Sequence, residues 1–142
     1  MKLFIHFGIY KAGSSYLQYV LANTRVYLVA QGIYFPNSIQ DKKMLQGLIS
    51  PGNADGLEEV LKVKNEKGLQ RLLRQWKEAA EKEQCDRVLL SAEALVHQLA
   101  KKDTLEFLEK VTKDSGYTEV HAMGFFRDLT DHALSTYKHR AK

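Results

Sequence analysis

The strongest constraint on the fold lies at the start of the chain. An apolar run over residues 2–7 breaks at Gly8, a second glycine stands at Gly13, and a helical pattern begins at Ser14. Leu17, Val20, Leu21, Thr24 and Leu28 recur at three- and four-residue spacing and predict one buried helical face. Gly32 is the natural stop, and Ile33 to Phe35 reads as a short extended piece ended by Pro36. A strand that leaves through a loop into a helix cannot turn back as a hairpin. Its next strand returns parallel, by a right-handed crossover.

The rest of the chain keeps that alternation. Residues 41–49 read as a short helix, and Ser50 to Gly56 as the clearest loop. Residues 57–63 are helical in pattern, and residues 66–84 form a strongly amphipathic helix with Leu69, Leu72, Leu73 and Trp76 as its apolar stripe. Arg87 to Ser91 is a buried strand, and residues 93–101 a short helix. Asp103 to Glu106 has the form of a capping box that opens a helix stopping near Gly116. Thr118 to Phe126 is a further strand, with a last helix from near Leu129. The predicted fold is a three-layer α/β/α domain with a parallel sheet, like that of nucleotide kinases, spanning residues 1–142. Ligands of such sheets gather at the carboxyl ends of the strands. The loop after the first strand, Glu93 and Arg127 all fall there.

Composition narrows the function. The chain has 142 residues, 44% of them hydrophobic and 27% charged, which suits one soluble domain. A net charge of +4 favours an anionic ligand. The basic residues form no tract and no aromatic–basic repeat, so nucleic acid is not the expected partner. Cys85 is the only cysteine, which excludes an intrachain disulfide and points to a reducing, cytoplasmic setting. No signal-peptide pattern or membrane-spanning run is expected. His97, His121, His132 and His139 lack metal-ligand spacing, and no metal site is expected.

Two segments carry chemistry. Gly8 and Gly13 have the G-x-x-x-x-G spacing of a phosphate-binding loop, but Ser14 stands where a nucleotide triphosphatase needs lysine, and Lys11 lies inside the loop instead. Backbone N–H groups of residues 12–16 can cradle an anion at the helix start. Near the other end, Arg127 follows an apolar strand, and Ser135 lies about two helical turns further on. A guanidinium fork and a hydroxyl suit a phosphate monoester. The plainer readings are a ligand-free strand–helix turn, and an arginine paired with Asp128 or Asp131.

Taken together, the segments resemble the sulfotransferases that use 3′-phosphoadenosine 5′-phosphosulfate (PAPS), particularly bacterial and carbohydrate-type members. Gly8, Lys11, Gly13, Ser14, Ser15 and Leu17 are similar to that family's 5′-phosphosulfate loop. Phe126, Arg127 and Asp128, with Ser135 and Tyr137, are similar to its 3′-phosphate segment, and Leu89 to Glu93 is similar to a further strand end. Leu129 stands where the family often has proline, and His132 where it often has arginine. The chain stops at Lys142, soon after the second segment, so the domain is expected to be incomplete at its C-terminus.

The resemblance implies metal-free transfer of a sulfuryl group to a hydroxyl or amine of a small-molecule or carbohydrate acceptor, leaving 3′-phosphoadenosine 5′-phosphate (PAP). Gly8, Lys11, Ala12, Gly13, Ser14, Ser15 and Tyr16 would hold the 5′ end, and Arg127 and Ser135 the 3′-phosphate. Lys11 would stabilise the leaving oxygen. Glu93 is the first choice of general base and His6 the second, against the plainer readings of a helix-start glutamate and a packed strand histidine. Tyr16, Tyr19 and Tyr27 are expected to be partly buried. Two other classes stay open: a non-catalytic module that binds the nucleotide or a partner, and a phosphotransferase. A truncated sheet would also expose an edge through which two copies could pair as a homodimer.

Overall fold

The computed structural model describes residues 1–8, 13–125 and 128. Four strands, β1 (Lys2–Gly8), β2 (Ile33–Tyr34), β3 (Arg87–Ser91) and β4 (Glu119–Phe125), form a wholly parallel sheet in the order β2-β3-β1-β4. Strand β1 is therefore central. Lys2 to His6 pair with Arg87 to Ser91 on one side, and Lys2 to Gly8 with Glu119 to Phe125 on the other. The chain moves to one side of β1 for β2 and β3, then crosses to the other side for β4. The carboxyl end of β1 thus lies at the point where the strand order reverses.

The alternation along β1 and β3 divides two cores. Leu3, Ile5, Val88 and Leu90 are fully buried in the larger one. There they meet α4 (Leu57–Lys62), α5 (Glu66–Lys82) and α7 (Lys102–Asp114). Helix α5 buries Leu69, Leu73, Trp76 and Ala80, with Leu72 partly buried beside them, close to the expected stripe. Asn65 caps it by accepting from the Gly68 amide at 3.0 Å. Tyr117 closes this core, its hydroxyl donating to the Leu73 carbonyl at 2.9 Å. Cys85 is buried as well, and burial, then the nearby Glu83, push its thiol pKa up. The smaller core is Ala22, Phe35 and Met44, with Leu89 reaching it from the opposite face of β3. Helices α1 (Ser14–Asn23), α2 (Arg25–Ala30) and α3 (Asp41–Leu45) supply it.

Three expectations are corrected. The first helix is two helices, interrupted at Thr24 (φ −109°, ψ 18°), whose hydroxyl bonds the Val20 carbonyl at 2.8 Å. Its buried stripe is Ser14, Gln18 and Ala22, and Leu17, Val20 and Leu21 are only partly buried. Asp103 is not the N-cap: α7 starts one residue before it, with Lys101 in the cap position, and the Asp103 carboxylate pairs with Lys64 at 2.5 Å. The 93–101 segment is a 3₁₀ turn over Glu93–Leu95 followed by α6 (Val96–Leu99). The helix expected from Leu129 lies outside the described residues.

The loop over residues 50–56 is where expected, but it is a structural part. Strand β2 pairs with β3 only at Arg87 and Val88. Beyond that point Asn53 takes over as a substitute strand. Its side-chain amide donates to the Leu89 carbonyl at 3.2 Å, its side-chain oxygen accepts from the Ser91 amide at 2.7 Å, and its own amide donates to the Ser91 carbonyl at 3.0 Å. Gly52 (φ +104°) lies so close that an added Cβ would sit 1.7 Å from the Ser91 carbonyl oxygen.

Candidate functional site

The carboxyl end of β1 leads into the glycine-bounded loop, and the structure is described again from Gly13. Gly13 is left-handed (φ +87°), and a Cβ placed there would meet nothing within 4 Å among the described residues. Its carbonyl accepts from the Leu17 amide at 3.1 Å and starts the helix. Among the described residues no side chain caps the first turn, so the leading amides of α1 have no side-chain acceptor there.

Ser14 is the first helical residue and is buried. Its hydroxyl donates to the Glu93 carboxylate, which is half-buried and opens the 3₁₀ turn directly after β3. The helix after β1 and the end of β3, distant in sequence, are joined by that contact. Ser15 is half-buried. Tyr16 is 72% exposed, with its ring beside Tyr19, and Tyr19 and Tyr27 are exposed too. The expectation that the three tyrosines are packing residues is therefore corrected: they lie on the outer side of α1 and α2, away from the stripe formed by Ser14, Gln18 and Ala22.

His6 lies on the face of β1 opposite Leu3 and Ile5. Its Nδ1 is 2.8 Å from the hydroxyl of Ser91, its register partner on β3, and its ring rests against Phe125 at 4.7 Å between centroids. Burial lowers its pKa, which keeps the ring neutral near pH 7. Nε2 is buried and has no hydrogen-bond partner among the described residues. Gln18 shares the pattern: its side-chain oxygen accepts from the Ser50 hydroxyl at 2.8 Å, and its Nε2 is buried with no partner among the described residues. Buried polar side chains thus recur on α1 (Ser14, Gln18), in the 50–56 loop (Ser50) and on β1 and β3 (His6, Ser91), and make up a polar layer of the domain.

Of the residues expected at the site, the structure brings together Ser14 and Glu93, with Gly13 at the mouth. It sets Gly8 at the register position opposite Phe125, and His6 in the adjoining layer. Lys11, Ala12, Arg127 and Ser135 lie outside the described residues. Sequence reasoning passed over Gln18, Ser50, Asn53 and Ser91. A signal was present for Gln18, which stands four residues from both Ser14 and Ala22. Ser91 had a weaker one, as a hydroxyl ending an apolar strand.

A groove of about 210 Å³ opens on the other side of Ala92, lined by Gln40, Asp55, Glu58, Glu59 and Leu95. Its carboxylates do not suit a phosphate. Among the described residues no group of three or more His, Cys, Asp or Glu side chains could hold a metal ion, and no helix is long and apolar enough to cross a membrane.

The architecture defines an α/β domain with a polar site at the carboxyl end of its central parallel strand. Compared with protein-family models, curated proteins and solved structures, the chain has no match.

Proposed function

We propose that this chain is a PAPS-dependent sulfotransferase, or the cofactor-binding portion of one, with a nucleotide-kinase-like fold. The observation that carries the reading is the junction of Ser14 and Glu93 at the reversal point of a β2-β3-β1-β4 parallel sheet. That is where an open α/β sheet holds its ligand, and both residues belong to the segments that resemble the family.

The described residues fit the 5′ end of such a nucleotide in two respects. Among the described residues the first turn of α1 is uncapped, and no atom lies within 4 Å of a Cβ built on the Gly13 before it. Ser14 supplies a backbone N–H at the same spot, the donor that an anion-binding helix start offers, while its hydroxyl is engaged by Glu93. The bound nucleotide supplies the sulfuryl group for transfer. The loop amides with Ser14 and Ser15 hold its 5′ end, Lys11 stabilises charge on the leaving oxygen, and Arg127 and Ser135 fix the 3′-phosphate. This is catalysis by positioning and preorganised electrostatics. Glu93 takes the acceptor's proton. It already accepts a hydrogen bond from the Ser14 hydroxyl, the acceptor role that a base has before it takes a proton. His6, neutral and with Nε2 unpartnered, is the second base. The acceptor is a small molecule or a carbohydrate.

Calorimetric titration with PAP, beside ATP with Mg²⁺, on the intact chain and on Lys11→Ala and Arg127→Ala, tests the reading. Binding of the bisphosphate that both variants weaken by about tenfold or more and that ATP does not match is expected. Absence of bisphosphate binding by the intact chain overturns it, and Mg²⁺-dependent ATP binding moves the assignment to a phosphotransferase.

A further inference from the structure

The Ser14–Glu93 contact poses an electrostatic problem. A helix start that accepts an anion carries a carboxylate at its first hydroxyl. Any anionic group within hydrogen-bond reach of Ser14 Oγ lies within a few ångströms of the Glu93 carboxylate. Yet the layer behind it is equipped for a polar ligand. Gln18, one turn along the same buried stripe, and His6 on β1 are each more than nine-tenths buried, and among the described residues each keeps a nitrogen without a partner. An amide nitrogen, an imidazole nitrogen and one fixed negative charge therefore occur in this part of the fold.

We propose that Glu93 is a specificity-determining residue, a charge filter that admits a terminal sulfuryl group and rejects a terminal phosphoryl group. The inference rests on the sulfotransferase reading. Sulfate and phosphate esters have nearly the same size and shape, so steric fit separates them poorly. They differ in charge: a sulfate monoester carries one negative charge near pH 7 and a phosphate monoester up to two. One extra charge about 5 Å from a carboxylate, in surroundings of effective dielectric about 20, is disfavoured by a factor of about 10². Discrimination then comes from repulsion of the wrong ligand, with little demand on attraction to the right one. Ser14 holds the carboxylate in place. Ser14 also occupies the position where a triphosphatase loop has lysine, so that position itself carries no positive charge.

The test uses two isosteric nucleotides, 3′-phosphoadenosine 5′-phosphosulfate and 3′-phosphoadenosine 5′-diphosphate, titrated without metal into the intact chain, Glu93→Gln and Glu93→Asp at pH 7.5. Binding is the readout, so the result does not depend on whether Glu93 also serves as base. The intact chain is expected to prefer the phosphosulfate by about 10². Glu93→Gln, which keeps the shape and removes the charge, brings the two within a few-fold by strengthening diphosphate binding. Glu93→Asp retains a preference. A gain of affinity cannot arise from a misfolded variant. An intact chain that binds both nucleotides equally, or a Glu93→Gln variant that binds with the preference unchanged, overturns the filter and leaves the sulfotransferase reading standing. An intact chain that binds neither overturns both.

Discussion

Ser91 concentrates more of the structure than any other single residue. Its amide and carbonyl are taken by Asn53, its hydroxyl by His6, and its carbonyl oxygen is grazed by Gly52. Two predictions belong at this scale. Gly52→Ala sets a methyl group against a backbone oxygen in a left-handed conformation, and is expected to destabilise the fold by more than about 2 kcal/mol in denaturant unfolding. His6 gives a pH signature. Its folded pKa is depressed by burial, so as pH falls below the usual imidazole value of about 6.5 the unfolded chain takes up a proton before the folded one does. The stability contributed by neutral His6 is present above that value and lost as pH falls toward the folded pKa. Unfolding free energies of the parent and of His6→Gln, measured from pH 7.5 to pH 5, should diverge in slope, with the parent the steeper.

At the scale of elements, the loop over residues 50–56 does the work of a strand. Asn53→Ala would leave the Ser91 amide and Leu89 carbonyl without their partners in a buried place, and is expected to cost about 3 kcal/mol. Asn53→Asp keeps the acceptor for Ser91 and loses the donor to Leu89, so it should fall between parent and alanine in the same assay. The elements also show what was legible in the sequence. Strands β1 and β3 and helix α5 were plain, because a continuous apolar run or a full amphipathic period records an environment buried on both faces or on one. The stripe of α1 was misread because its buried side chains are Ser14, Gln18 and Ala22. They face a polar layer, and periodicity counts apolar residues only. Asp103 was misread because a local capping pattern lost to Lys64, an ion pair remote in sequence. The role of Asn53 was invisible for a like reason, since its partners are strand residues that only the fold brings near. At the site, Ser14 and Glu93 could be named from the order of the segments, whereas their contact with each other could not.

For the molecule as a whole, the central position of β1 sets a gradient of stability. Strand β1 is paired on both sides along most of its length, and Leu3 and Ile5 are fully buried. Strand β4 pairs only with β1 among the described residues, and much of its surface is exposed, Phe125 at 49%. Native-state hydrogen exchange should therefore find the amides of Ile5 and Leu90 among the slowest and those of Val120 to Gly124 faster by at least about tenfold. Equal protection across the sheet would mean that β4 is covered, and a doubled mass in sedimentation would identify a second copy as the cover.

The close approach of Gly52 to β3 also governs where the chain tolerates added sequence. The stretch Ser50 to Gly56, rich in proline, glycine and polar residues, is the one an engineer would choose for an epitope tag or a fluorophore linker. Lengthening it would pull Asn53 out of register with β3 and disturb the hydroxyl that holds His6. The exposed turn at Gln84, with its left-handed φ of 57°, sits at the opposite end of β3 from the site and is the better point of attachment.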